Sequence, residues 1–177
     1  MKTKWFRVVM SILLLTIPGS IYADTVWNGS AGDGLWSTPA NWNTGLVPVP
    51  GSGNTFFNNG DTILIDSSTA AVVDGDLFGP EWGTDLIIDG GSLTQQSPGF
   101  VFAPIGASDN LSVTTVRNGG TLTVQELLIG DNWWFNTAPF AVLNVYDTSA
   151  VTANGWCWLG GQINLYGGSV YVTGCFN

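Results

Sequence analysis

The side chains able to do chemistry are few. The chain has no histidine, and its 13 acidic residues face only four basic ones. Without histidine, a His-assisted nucleophile of the serine- or cysteine-hydrolase kind is excluded. Glycoside hydrolysis needs only two carboxyls. Asp74 and Asp76 stand two apart, so in a strand they would share a face. Those two, with Asp61 or Asp66, could also supply oxygen ligands to a weakly held Ca²⁺. Against both ideas, Asp74-Gly75-Asp76 has the composition of an ordinary turn, and its spacing matches no defined calcium loop. A lyase would need a base, for which Arg117 is the one candidate. It lies in Val116-Arg117-Asn118-Gly119-Gly120, where pairing with Asp89 and Asp147 is the simpler role. No catalytic residue is assigned, and no cofactor is expected beyond the marginal calcium alternative.

Two further groups could bind or cross-link. Residues 131–140 bring Asn132, Trp133, Trp134, Phe135, Asn136 and Phe140 together with Asp131 and Pro139, a composition unlike a strand. Aromatic faces beside amides suit sugar rings, with CH groups stacking on the ring and Asn or Asp taking the hydroxyls. The alternative is that these rings fold back and cover an apolar flank. Cys157 and Cys175 are the only cysteines. With no histidine and no third cysteine, a zinc site is excluded, leaving a disulfide or two buried thiols.

The elements that must position these groups come from an internal repeat. DLIIDGGSLTQQ, TTVRNGGTLTVQE, VLNVYDTSAVTANG and INLYGGSVYVTG each place a β-branched run, a tight turn and a second short run in succession. Leu93, Leu122, Val151 and Val170 follow the turns at spacings of 29, 29 and 19. Such self-similarity, with period-2 alternation in each run, predicts an all-β right-handed parallel β-helix (a β-solenoid). Strands are expected at Thr62–Asp66, Ala70–Asp74 and Leu86–Asp89, and a loop at 74–80. Stacked turns about 4.8 Å apart carry two consequences. Asp89, Asn118 and Asp147 recur 29 apart and either form a polar ladder, the Asn donating between two carboxylates, or serve only as local turn residues. Cys157, six after Val151, and Cys175, five after Val170, fall at nearly equivalent places in adjacent turns, within disulfide reach.

Residues 1–23 read as a secretory signal peptide: Lys2, Lys4 and Arg7, an apolar Val8–Ile17, then a small-ended segment closing at Ala23. The apolar stretch is too short to span a bilayer. Cleavage there leaves Arg117 as the one strong cation against 13 acids, a net charge of −12. Binding to nucleic acid or to an anionic membrane by charge neutralisation is then excluded. The expected location is extracellular or at the cell surface, without integral membrane insertion.

The segment 24–60 is rich in Trp and Gly, and its three tryptophans predict a compact cap over one open end of the stack. The pattern set by Trp27, Gly34, Trp36, Asn41, Trp42, Pro50 and Gly51, followed by β-runs, resembles the start of secreted bacterial right-handed β-helix proteins, the autotransporter-passenger-like and pectate-lyase-like solenoids. One departure is Gly53-Asn54, where an acidic residue is usual. The resemblance implies a surface protein. Residues 61–177 are then the solenoid turns. They end on a strand-like run with no cap, which suggests a longer protein or, failing that, end-to-end pairing of copies. The expected function is structural or adhesive, without catalysis. The alternatives are a carbohydrate-binding module using 131–140 and, less favoured, a polysaccharide-degrading enzyme. The partners are polysaccharide or further surface-protein copies.

Overall fold

The computed structural model describes residues 25–48, 55–57, 62–66, 70–73, 77–80, 84–95, 101–102, 111–130 and 141–174. The signal-peptide region, Asp74 and Asp76, the insert 131–140 and Cys175 lie outside these residues. The described chain is all-β apart from one 3₁₀ turn at Pro39–Asn41. Its strands are β1 Thr25–Trp27, β2 Thr55–Phe57, β3 Thr62–Ile65, β4 Ala70–Val73, β5 Leu77–Pro80, β6 Asp85–Asp89, β7 Ser92–Gln95 and β8 Val101–Phe102. They continue as β9 Ser112–Arg117, β10 Thr121–Val124, β11 Glu126–Ile129, β12 Ala141–Tyr146, β13 Ala150–Ala153, β14 Cys157–Leu159, β15 Gln162–Tyr166 and β16 Ser169–Val172.

Three sheets result, and every strand pair in them is parallel. The first runs β1-β3-β6-β9-β12-β15, the second β4-β7-β10-β13-β16, and the third β2-β5-β8-β11-β14. From β3 onward the chain visits first, second and third sheet in strict rotation. The post-turn residues of the repeat are Cα partners in series: Leu93 with Leu122, Leu122 with Val151, Val151 with Val170. Ala71 extends the column below Leu93. The stretch 74–80, expected as a loop, contributes β5 to the third sheet, paired to β2 and β8.

Buried parallel strands usually read as continuous apolar runs. These alternate instead, because only one face of each sheet is dry. Ile63, Leu86, Thr114 and Leu143 form one inward column of the first sheet, and Ile65, Ile88, Val116 and Val145 the next. Inward residues of all three sheets join in one core, from Trp27 to Cys157. Each fully buried Ile, Leu or Val contributes about 1.5–3 kcal/mol of transfer free energy, so repetition of the column multiplies a modest local term. Four inward strand positions are polar, Thr25, Gln95, Ser112 and Thr114, and the buried Thr114 hydroxyl has no hydrogen-bond partner among the described residues.

The equal spacings of 29 conceal unequal construction. Between Leu93 and Leu122 the extra length lies in residues 96–100 and 103–111, whereas between Leu122 and Val151 it lies in 131–140. The next interval drops to 19 because β14 reaches β15 through Gly160-Gly161 alone. That corner requires glycine: a Cβ on Gly160 would collide with the Gly130 carbonyl, and one on Gly161 with the Ala141 carbonyl.

The segment expected to be a cap also contributes strands to the same sheets. β1 pairs with β3, β2 with β5, and Leu35 bridges Val72 in parallel, at the second-sheet position between them. Trp36 N donates to the Val72 carbonyl (2.9 Å) and Val72 N to the Gly34 carbonyl (2.8 Å). Gly34 makes this approach at φ +71, where an added Cβ would stand 3.3 Å from the Ala70 carbonyl oxygen.

Candidate binding surface

The outward face of the first sheet carries the most organised polar chemistry among the described residues. Alternation sends Asn144 and Tyr146 of β12, and Gln162, Asn164 and Tyr166 of β15, to the same side. Their registers coincide: Val142 with Gln162, Asn144 with Asn164, Tyr146 with Tyr166. Gln162 Nε2 donates to Asn164 Oδ1 (2.7 Å), and Asn164 Nδ2 donates to Asn144 Oδ1 (2.9 Å). The two tyrosine rings stack with centroids 4.6 Å apart and planes inclined by 15°. An aromatic column thus runs beside an amide column. In the sequence, β12 follows directly on residues 131–140.

One coil earlier, the same edge is charged. Arg117 Nη2 and Nε reach Asp89 Oδ2 at 2.7 and 2.8 Å, and Asn118 Nδ2 donates to Asp89 Oδ1 at 2.5 Å. The Asn118 amide foremost, supported by Arg117, holds the Asp89 carboxyl below the ordinary aspartate range against the opposing effect of burial. Arg117 is therefore tied to a carboxylate on an exposed corner. The Cα partner of Asp89 is Arg117, not Asn118. The corner after Asp89 uses only Gly90-Gly91, while those after Arg117 and Tyr146 use three residues, with Asn118 and Asp147 at φ 55 and 54. The expected three-member ladder is thus offset by one residue: Asn118 reaches back to Asp89, and no hydrogen bond from Asn118 to the Asp147 side chain occurs among the described residues.

The other expected positions fare differently. Asn132, Trp133, Trp134, Phe135 and Asn136 lie outside the described residues, as do Asp74 and Asp76. Cys157 is a buried free thiol, inward-facing opposite Leu127, and burial pushes its pKa up. Its expected partner Cys175 lies outside the described residues. No group of three or more metal-ligating side chains occurs among the described residues.

Sequence reasoning missed the organising role of Asp33. Its Oδ1 accepts from Leu35 N (3.0 Å) and Asn41 Nδ2 (2.6 Å), and its Oδ2 from Thr38 Oγ1 (2.6 Å). Buried Asn41 also donates to the Leu35 carbonyl and accepts from Ala31 N. These bonds, Thr38 first, lower the Asp33 pKa. The available signal was an Asp-Gly turn followed at fixed distance by Thr-Pro-x-Asn, a pairing of an acceptor with donors across one tight loop.

Comparison of this chain with protein-family models, with characterised proteins and with solved structures finds no match. No helix among the described residues is long and apolar enough to cross a membrane.

Proposed function

We propose that this chain is a secreted or cell-surface right-handed parallel β-helix whose work is structural and adhesive, without catalysis of its own. The observation that carries the proposal is the strict rotation of the chain through three parallel sheets, in continuous register from coil to coil. Parallel crossovers are right-handed in nearly all cases, and a common core shared by the inward faces of all three sheets is what such a coil encloses. A signal peptide at 1–23 and a strongly acidic mature chain agree with work outside the cell. The absence of histidine from the whole sequence supports a non-catalytic role. Cross-linking tests the architecture: Thr123→Cys/Thr152→Cys places two outward thiols on Cα partners of neighbouring strands. Ready oxidation to an intramolecular disulfide supports the stacked register, and failure to cross-link overturns it.

A second function has its own observation. The amide column Asn144, Asn164 and Gln162 beside the stacked Tyr146 and Tyr166 favours carbohydrate as the adhesive ligand. A glycan array separates the two. Loss of signal in Trp133→Ala/Trp134→Ala or in Tyr166→Ala makes the protein a carbohydrate-binding module. Absence of any signal, or binding that survives both variants, leaves a scaffold without glycan recognition by these residues.

A further inference from the structure

Resting on the carbohydrate reading proposed above, we infer that the polysaccharide taken by the outward face of β12 and β15 is uncharged and hydroxyl-bearing. Asn144 and Gln162, at the two ends of one amide chain, select it.

The three amides are bonded in a single direction. Gln162 Nε2 donates to Asn164 Oδ1, and Asn164 Nδ2 donates to Asn144 Oδ1. The two ends of the chain are therefore unlike. At Asn144 the Nδ2 donor makes no hydrogen bond among the described residues, and at Gln162 the Oε1 acceptor makes none. Gln162 is exposed and Asn144 half-buried, so both ends reach the surface. A ligand that satisfies the two ends must accept at Asn144 and donate at Gln162. Sugar hydroxyls do both, whereas an ionised carboxylate only accepts. A carboxylate or sulfate against Gln162 Oε1 would set two acceptors face to face.

The dimensions suit a sugar ring. Asn144 and Asn164 are Cα partners on neighbouring strands, about 4.8 Å apart, and Gln162 lies two residues before Asn164, about 6.6 Å along its strand. The three amides thus bound an area close to that of one hexose. Tyr146 and Tyr166 stand two residues further along the same two strands.

Charge points the same way. The sequence carries 13 acidic residues against four basic ones. The neighbouring outward positions Val113, Thr115 and Val142 are uncharged. Arg117, the single Lys or Arg among the described residues, spends both Nε and Nη2 on Asp89. That leaves this face no cation to receive an acidic sugar, and the field of so acidic a chain repels one.

A polysaccharide array tests the selection, with galactomannan, xyloglucan and chito-oligosaccharides beside alginate, polygalacturonate and chondroitin sulfate. Binding of the full chain is expected among the first three only. It should be unchanged between about 20 and about 500 mM NaCl, because no ion pair is screened. Two variants then probe the ends of the amide chain. Asn144→Asp keeps the oxygen that accepts from Asn164 and removes the free donor. Gln162→Ala removes the free acceptor at an exposed position. Each is expected to weaken binding about tenfold, the worth of one hydrogen bond, with the circular dichroism of the parent. Binding to alginate, polygalacturonate or chondroitin sulfate would overturn the inference and leave the carbohydrate reading standing. So would binding to a neutral member that neither variant weakens. An array with no signal at all removes the carbohydrate reading and this selection together.

Discussion

The two ends of this stack meet the same problem with different chemistry. At the N-terminal end Trp27, Trp36 and Trp42 close the core. Trp42 packs edge-on against Trp27 (5.1 Å, 79°) and Trp36 (4.5 Å, 77°), and its Nε1 donates to the Trp36 carbonyl. A loop fixed by Asp33 and Asn41 satisfies the backbone around them. At the C-terminal end the inward columns run on as Leu165, Val170 and Val172, with no ring or loop over them among the described residues. A parallel coil supplies hydrogen-bond partners only to strands that have a neighbour on both sides. Three aromatic rings and one carboxylate network cover the β1 end of the core, and nothing of that kind lies over β15 and β16 among the described residues.

Substitution at the two ends should separate them most sharply. Trp42→Ala is expected to cost about 3–5 kcal/mol, the range for removing a buried aromatic. Leu165→Ala, at an exposed position, is expected to cost under about 1 kcal/mol. Urea unfolding of both variants provides the measurement, and equal losses would mean that the ends are not different. Between the ends, the column itself can be improved. Thr114→Val keeps the β-branched shape and removes a buried hydroxyl that lacks a partner, and should raise stability by about 1 kcal/mol. A loss in the same unfolding assay would show that the hydroxyl is satisfied after all.

The smallest expected effects are pH-dependent, and the two aspartates concerned have opposite signs. The folded pKa of Asp33 is lowered, with Thr38 the first cause. Its stabilisation is therefore full above the unfolded value of about 3.9 and disappears as pH falls through the folded value. Asp85 is raised by burial, against a backbone hydrogen bond from Val113. Its charged form therefore costs stability at neutral pH, and the cost fades as pH falls through that raised value. Thermal melts across the acid range should show Asp33→Asn lowering the melting temperature near neutrality and flattening the acid limb. Asp85→Asn should raise it slightly near neutrality and do nothing in strong acid. A parallel shift of both variants at every pH would break the distinction.

Much of the fold was legible because a coil repeats its chemistry. Leu93, Leu122, Val151 and Val170 were aligned from spacing alone, and the structure pairs them in that order. Most expected strand spans hold to within a residue, as at Thr62–Ile65 and Ala70–Val73. The polar corner was less legible. Equal spacing placed Asp89, Asn118 and Asp147 at one level, but a two-residue glycine corner and a three-residue corner differ by one position, so Asp89 faces Arg117. Only local backbone geometry distinguishes these corners, since Gly90 and Asn118 both adopt positive φ. The amide and tyrosine columns of β12 and β15 were hidden for another reason. Asn144 and Asn164 lie 20 apart and look like unrelated surface residues until the shortened last coil brings them into register.

The sequence by itself determined the alternation, the turns, the charge imbalance and the absence of histidine, because each depends on residue type or on neighbours a few positions away. Tertiary structure alone decided that the Trp-rich segment adds strands to the same sheets, that the length differences fall in residues 96–100 and 103–111 in one repeat and in 131–140 in the next, and that Leu165 stands exposed in a column of buried residues. Those features depend on which strand lies above and below. Paired strands in these sheets are some twenty to forty residues apart, so no local preference encodes them, and only the closing of the common core fixes the register.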